Sequence, residues 1–256
     1  MSAASYCRRA NPHSADPHTT VLLTAFGPFP GVPVNATMRL VPELAKRAAL
    51  AFPDARFVAE VLATEWVGAP RHVAAVIADV RPDLILHFGV SSRARGFEIE
   101  QRAHNACRSM PDAAGEMPRA ATLRRGGAEV LRTTLPVPHL VMALKQRGIP
   151  VYTSRDAGAY LCNAVLYHSL QMAAEGDRDC RVGFVHVPAS LARPGGPNRG
   201  RTGACPLTWP QAIEGGLAII AGCLGRPMPR RKAQPVARAR KRLAGNAHAR
   251  PLHAQS

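Results

Sequence analysis

The chain has 256 residues, 46% of them hydrophobic and 20% charged, which is enough to bury a large α/β core. The formal charge is +16, but residues 226–256 hold nine of the 33 lysines and arginines and no acidic residue. Six scattered cysteines show no CxxC pair, so neither a disulfide scaffold nor a structural zinc site is indicated. No secretory signal and no membrane-spanning run is recognisable, so we expect a cytoplasmic protein with reduced thiols.

Short apolar runs closed by Gly or Pro alternate with stretches of helical periodicity along most of the chain. In chain order they predict strand 21–26, helix 38–52, strand 56–63, helix 66–80, strand 84–88, helix 137–147, strand 149–153, helix 159–174, strand 181–187 and a helix from 208 or 210 to 224. Asn35 or Thr37 is the expected cap of the first helix. This alternation predicts an α/β fold with a mostly parallel sheet and helices on both faces.

Two other segments depart from this alternation. Residues 96–105 alternate loosely, as the strand of a hairpin does, and residues 106–127 form a long loop rich in Pro, Gly and Arg. We therefore predict one domain over residues 20–225, preceded by a disordered extension at 1–19 and followed by a disordered basic tail at 226–256.

Cys162 and His186 are the residues best suited to chemistry. Cys162 falls in the first turn of a predicted helix, where free N–H groups and the helix dipole stabilise a thiolate, although a buried core cysteine fits the same pattern. His186 lies near the end of an apolar strand, where a buried histidine bonded to a carbonyl is the alternative. Because the two lie in adjacent βα units, they are suitable parts of a thiolate–imidazole pair.

A thiolate–imidazole pair needs an acceptor for the second ring nitrogen. Glu98 and Glu100 lie on the same face if their segment is a strand, so spacing does not choose between them, and a solvated face paired with arginines is also possible. The aromatic loop residues Phe26 and Phe29 suit the walls of a flat apolar slot, or ordinary packing onto the sheet. The H-x-x-C pair ending at Cys107 has no second pair, so we expect no metal.

Five segments carry a resemblance to a known family. In chain order they are VLLTAFGPFPGVPVN, PDLILHFGV, IEQRAHN, SRDAGAYLCN and GFVHVP, between residues 21 and about 224. The chain resembles the type I pyroglutamyl peptidases, intracellular cysteine peptidases that remove an amino-terminal pyroglutamate. This resemblance implies a single three-layer α/β/α domain with a mixed sheet. It also implies Cys162 as nucleophile, His186 as general base and acid, and Glu100 as the third member of the triad.

The resemblance also implies residues that contact the substrate. Phe26 and Phe29 match the phenylalanines that flank the pyroglutamyl ring, Asn35 matches the motif's asparagine, and Leu161 matches the apolar residue before the nucleophile. No cofactor is implied, the expected partner is a peptide with an N-terminal pyroglutamate, and a homo-oligomer is possible because the family includes tetramers.

The chain departs from the family after the third strand. Where the family reads Gly-Gln-Ala-Gly-Gly-Arg, Val90 takes the glutamine position and Ala94 the arginine position. Arg93 lies beside that position and is a candidate to assist backbone N–H groups in binding the oxyanion. Two further hypotheses follow: the same triad acts on another acyl group or is degenerate, or the basic tail makes non-specific phosphate contacts with nucleic acid.

Overall fold

A computed structural model describes residues 19–191 and 205–228. The predicted extension, apart from residue 19, and the tail beyond residue 228 lie outside the described residues. The strands are β1 (Thr19–Phe26), β2 (Ala55–Leu62), β3 (Leu84–Ser91), β4 (Phe97–Glu100), β5 (Arg102–His104), β6 (Val130–Arg132), β7 (Val151–Ser154) and β8 (Arg181–Pro188). The helices are α1 (Thr37–Ala51), α2 (Gly68–Val80), α3 (Val137–Lys145), α4 (Leu161–Glu175) and α5 (Trp209–Leu224).

Six strands form a central mixed sheet in the order β2-β1-β3-β8-β4-β7. The first four of these strands are mutually parallel, while β4 runs antiparallel to β8 and carries β7 parallel to itself. A mixed sheet of this kind brings the carboxyl ends of β1, β3 and β8 to one edge.

Helices cover both faces of the central sheet. One hydrophobic cluster joins α1, α3 and α5 to one face, and a second joins α2 and α4 to the other. Strands β1 and β3 are buried along nearly their whole length, which explains why they read as continuous apolar runs rather than alternating ones. The predicted three-layer α/β/α fold with a mostly parallel, mixed sheet is confirmed.

The last helix begins as its sequence predicts, whereas the predicted cap of the first helix at Asn35 or Thr37 is wrong, because Ala36 holds the cap position. The Asn35 side chain accepts a hydrogen bond from the Thr37 backbone N–H at 3.1 Å, so it serves the start of α1 from one residue before the cap position. Thr208 caps α5 in a capping box with Gln211, and Gly225 ends that helix in the left-handed conformation.

The single hairpin strand predicted at 96–105 is divided in the structure. Its residues form two short strands of different sheets: β4 belongs to the central sheet, and β5 pairs antiparallel with β6 in a separate two-stranded ribbon against α4. The three-residue β6 is too short to give a periodic signal in the sequence. The loop at 106–127 is confirmed, and among the residues that the structure describes no helix has the length and apolar character of a membrane span.

Candidate active site

A cavity of about 510 Å³ opens above the sheet edge where β1, β3 and β8 end. Residues of special chemical interest in its lining are Phe29, Val90, Arg93, Glu98, Glu100, Arg108, Tyr160, Cys162 and His186. Because β8 lies between β3 and β4, Gly89 on β3 lies on one side of His186 and acidic Glu98 on β4 on the other.

Cys162 occupies the second residue of α4 and is partly exposed to the cavity. Gly158 has a φ of +82°, and this left-handed turn leads the chain from β7 into the helix. The residue before α4, Tyr160, makes no side-chain cap among the described residues. Free N–H groups at the start of a helix stabilise a negative charge, and the thiol of Cys162 lies in this first turn.

His186 is held from two sides. Its Nδ1 lies 2.8 Å from Oε1 of Glu100, a carboxylate with 1% exposure, and the thiol of Cys162 lines the same cavity and acts on the imidazole. Burial by itself would lower the pKa of His186, but the charge and hydrogen bond of Cys162, followed by those of Glu100, raise it to about 10. These two acidic groups therefore favour the protonated form of the imidazole.

Phe184 and Gly89 set the floor of the site. The Phe184 ring lies 4.7 Å, centroid to centroid, from the His186 ring, and Gly89 is the direct register partner of His186 across β3 and β8. A Cβ atom at Gly89 would lie 2.7 Å from Cζ of Phe184 and 3.1 Å from Sγ of Cys162. The missing side chain is thus what allows thiol and phenyl ring to approach the strand.

Tyr160 forms an aromatic wall that the sequence analysis missed. Its ring centroid lies 5.9 Å from that of Phe29 and 5.2 Å from that of Trp66, the latter in an edge-on arrangement. Its hydroxyl donates to the Pro111 carbonyl at 3.0 Å, which ties the long loop to the cavity. The position of this tyrosine just before Leu161 and Cys162 was the available signal.

The same loop is anchored by a buried carboxylate and brings an arginine to the cavity. Asp112, 2% exposed, accepts from the backbone N–H of Trp66 at 2.9 Å, and the backbone N–H of Arg108 donates to the Ala159 carbonyl. Arg108 consequently lines the cavity, although nothing in its local sequence distinguished it from the other loop arginines.

Three predicted substrate contacts lie behind the cavity wall instead of in it. Phe26 is 2% exposed and packs on Phe184, and Leu161 is fully buried in the core between the sheet and α4. Asn35 is also buried, donating to the Gly27 carbonyl while it holds the start of α1. The slot between Phe26 and Phe29 stays a prediction: in the structure Phe26 packs in the core and does not line the cavity, and the ring beside Phe29 is Tyr160.

The segment that departs from the family motif contributes two of the expected residues. Val90 and Arg93 line the cavity, whereas Ala94 is buried and does not. The positive charge of Arg93 acts on the carboxyl of Glu98 and helps to lower its pKa, against the larger effect of burial, which raises it. Arg93 therefore acts on the β4 side of the cavity.

A thiol at a helix start and an imidazole held by a buried carboxylate, in one cavity at the edge of an α/β sheet, are the parts of a cysteine hydrolase site. Comparison with known proteins narrows this class. Residues 19–193 match the family model described as pyroglutamyl peptidase. The pyrrolidone-carboxylate peptidase of Pyrococcus furiosus is 32% identical over 169 residues, covering 66% of this chain and 80% of that protein.

Two further comparisons extend over more of the chain. The pyrrolidone-carboxylate peptidase of Oceanobacillus iheyensis is 29% identical over 204 residues, which cover 80% of this chain and 98% of that protein. The solved structure of the Pyrococcus furiosus pyrrolidone carboxyl peptidase superposes with a TM-score of 0.72 at 28% identity, covering 80% of this chain and 98% of the other. The chain belongs to the pyroglutamyl peptidase family of cysteine peptidases, as the sequence predicted.

Proposed function

We propose that this protein hydrolyses the amide bond that follows an N-terminal pyroglutamyl residue, using Cys162 as nucleophile, His186 as general acid and base, and Glu100 to orient the imidazole. The observation that carries the proposal is that Cys162, at the start of α4, lines one cavity with His186, whose Nδ1 is held by Glu100. The names of the curated relatives supply the substrate class.

In the first half of the reaction, Sγ of Cys162 attacks the pyroglutamyl carbonyl carbon and forms a tetrahedral intermediate. Backbone N–H groups in the first turn of α4 stabilise its oxyanion, and the positive charge of Arg93 on the cavity wall adds to the field. Because Glu100 holds Nδ1 of His186, the other ring nitrogen is left to protonate the departing amine. The C–N bond breaks and a thioester remains.

The second half of the reaction reverses the proton transfers. His186, now neutral, takes a proton from a water molecule, whose oxygen attacks the thioester carbonyl. The C–S bond breaks, pyroglutamate leaves, and the proton on His186 again faces the sulfur of Cys162. No redox partner or further reactant is consumed besides water.

The uncharged lactam suits the apolar side of the cavity. The rings of Phe29 and Tyr160 and the side chain of Val90 enclose that side, and a flat ring fills such a space by burying apolar area. Val90 stands where the family has a glutamine, so one polar contact to the acyl group is missing. This observation favours a second candidate, the same chemistry on another cyclic N-terminal acyl group such as prolyl.

The test is release of a fluorescent amine from pyroglutamyl aminomethylcoumarin under reducing conditions. Wild type should turn over, and Cys162→Ala should lose at least about 1,000-fold in kcat/KM. Cys107→Ala, which removes another partly buried thiol outside the triad, is the matched control and should retain activity. Equal turnover by Cys162→Ala and wild type would contradict the mechanism, and faster turnover of the prolyl amide would favour the second candidate.

A further inference from the structure

Glu98 is a second carboxylate beside the imidazole of His186, and the mechanism above does not use it. It is the direct register partner of His186 across β4 and β8, so the two side chains project from the same face of the sheet. A carboxylate oxygen of Glu98, one of Glu100 and a ring nitrogen of His186 all lie within 4.8 Å of one another.

The two carboxylates differ in how they meet the imidazole. Glu100 is almost fully buried and holds Nδ1 through Oε1, while its Oε2 has no hydrogen-bond partner among the described residues. Glu98 is partly exposed and lines the cavity, so its side chain has room to change rotamer. One carboxylate is therefore fixed and the other is adjustable.

We propose that Glu98 is a positioning residue for His186: with Glu100 it stabilises the imidazolium, and it accepts the hydrogen bond from Nδ1–H when Glu100 is removed. This inference rests on the proposed function for the role of His186. It assigns the acidic pair on β4 a shared task in which Glu100 orients the ring and Glu98 supplies a second negative charge.

The charges around His186 support this assignment. Cys162 on α4 and the two glutamates on β4 are the acidic groups that face it, and on the β3 side its register partner is Gly89, which carries no charge. Burial raises the pKa of Glu98, and the positive charges of His186 and of Arg93, from the loop between β3 and β4, act against this rise and favour the ionised form. A second negative charge within 4.8 Å of the imidazolium in a partly buried site favours its protonated form.

The experiment compares Glu98→Gln, Glu100→Ala and the double variant, using kcat on the pyroglutamyl amide and its pH profile. Glu98→Gln should lower kcat about threefold to tenfold, leave KM unchanged, and move the alkaline limb of the profile to lower pH. The double variant should lose more than the product of the two single losses, because Glu98 then no longer replaces Glu100.

Glu60→Gln is the matched control, since Glu60 also pairs with a histidine, His72, but on β2 and away from the cavity. The pH dependence of the rate at which iodoacetamide alkylates Cys162 reports on the pair of Cys162 thiolate and His186 imidazolium without any substrate. If wild type fails to cleave the amide, but Glu98→Gln shifts the pH profile of alkylation relative to wild type, the proposed function alone is contradicted. Unchanged kcat and alkylation profiles in Glu98→Gln would overturn the role of Glu98.

Discussion

Replacing Gly89 by alanine tests how closely the thiol and the sheet are fitted. The added Cβ would lie 2.7 Å from Cζ of Phe184 and 3.1 Å from Sγ of Cys162, whereas ordinary contacts begin at 3.4 Å. The ring must therefore move by about 0.7 Å and the sulfur by about 0.3 Å if the backbone stays in place. Gly89 needs no left-handed conformation, so the effect is steric alone.

The buried surroundings of Phe184 leave few ways to accommodate these displacements. Phe184 is fully buried and contacts the His186 ring, so it cannot turn toward solvent and its shift is passed to the imidazole. Overpacking of this kind costs about 1–3 kcal/mol of stability. Misplacement of reacting groups by up to about 1 Å costs about 100-fold in rate, so we expect a fall in kcat of about 10- to 100-fold with little change in KM.

The assay is steady-state hydrolysis of the pyroglutamyl amide together with thermal unfolding. Gly216→Ala on α5 is the matched control, because its Cβ would meet Cδ2 of Leu44 at the same 2.7 Å on the opposite face of the sheet. It should lose stability without a matching loss of kcat in the folded enzyme. Equal kcat in Gly89→Ala and Gly216→Ala would refute the reasoning.

Three further predictions concern a buried histidine, a helix cap and a loop anchor. Burial lowers the pKa of His87 to about 3, so the folded state binds fewer protons than the unfolded chain and stability falls as the pH drops below about 6.5. Between pH 7 and 5, the free energy of unfolding of His87→Gln, measured in urea, should therefore decrease by about 2 kcal/mol less than that of wild type; an equal decrease would contradict this. Thr208→Ala removes the capping box shared with Gln211 and should lower the stability by about 1 kcal/mol, seen as a fall in Tm of about 2–4 °C. An unchanged Tm would show that the cap does not contribute to stability. Tyr160→Phe keeps the ring but removes the hydrogen bond to Pro111, so KM should rise about threefold at constant kcat, and an unchanged KM would show that the loop needs no such anchor.

Local sequence was sufficient for most of the architecture. Apolar runs bounded by Gly and Pro located the strands of the central sheet apart from β4, and helical periodicity located all five described helices. The same local signals placed Cys162 at a helix start and His186 near a strand end, because capping, periodicity and turn residues act over a few positions only. The resemblance to pyroglutamyl peptidases rested on these segments and is confirmed.

Contacts between distant segments needed the tertiary structure. The residue pattern left Glu98 and Glu100 equivalent. In the structure, the antiparallel register of β4 on β8 places Glu98 directly opposite His186, while Glu100 forms the hydrogen bond with Nδ1 of that histidine. The aromatic partner of Phe29 is Tyr160, 131 positions away. Phe26 is buried in the core, although it lies at the end of the strand that leads into the same loop. Periodicity determines which residues share a face of one element, whereas the register and packing of separate elements determine which faces meet.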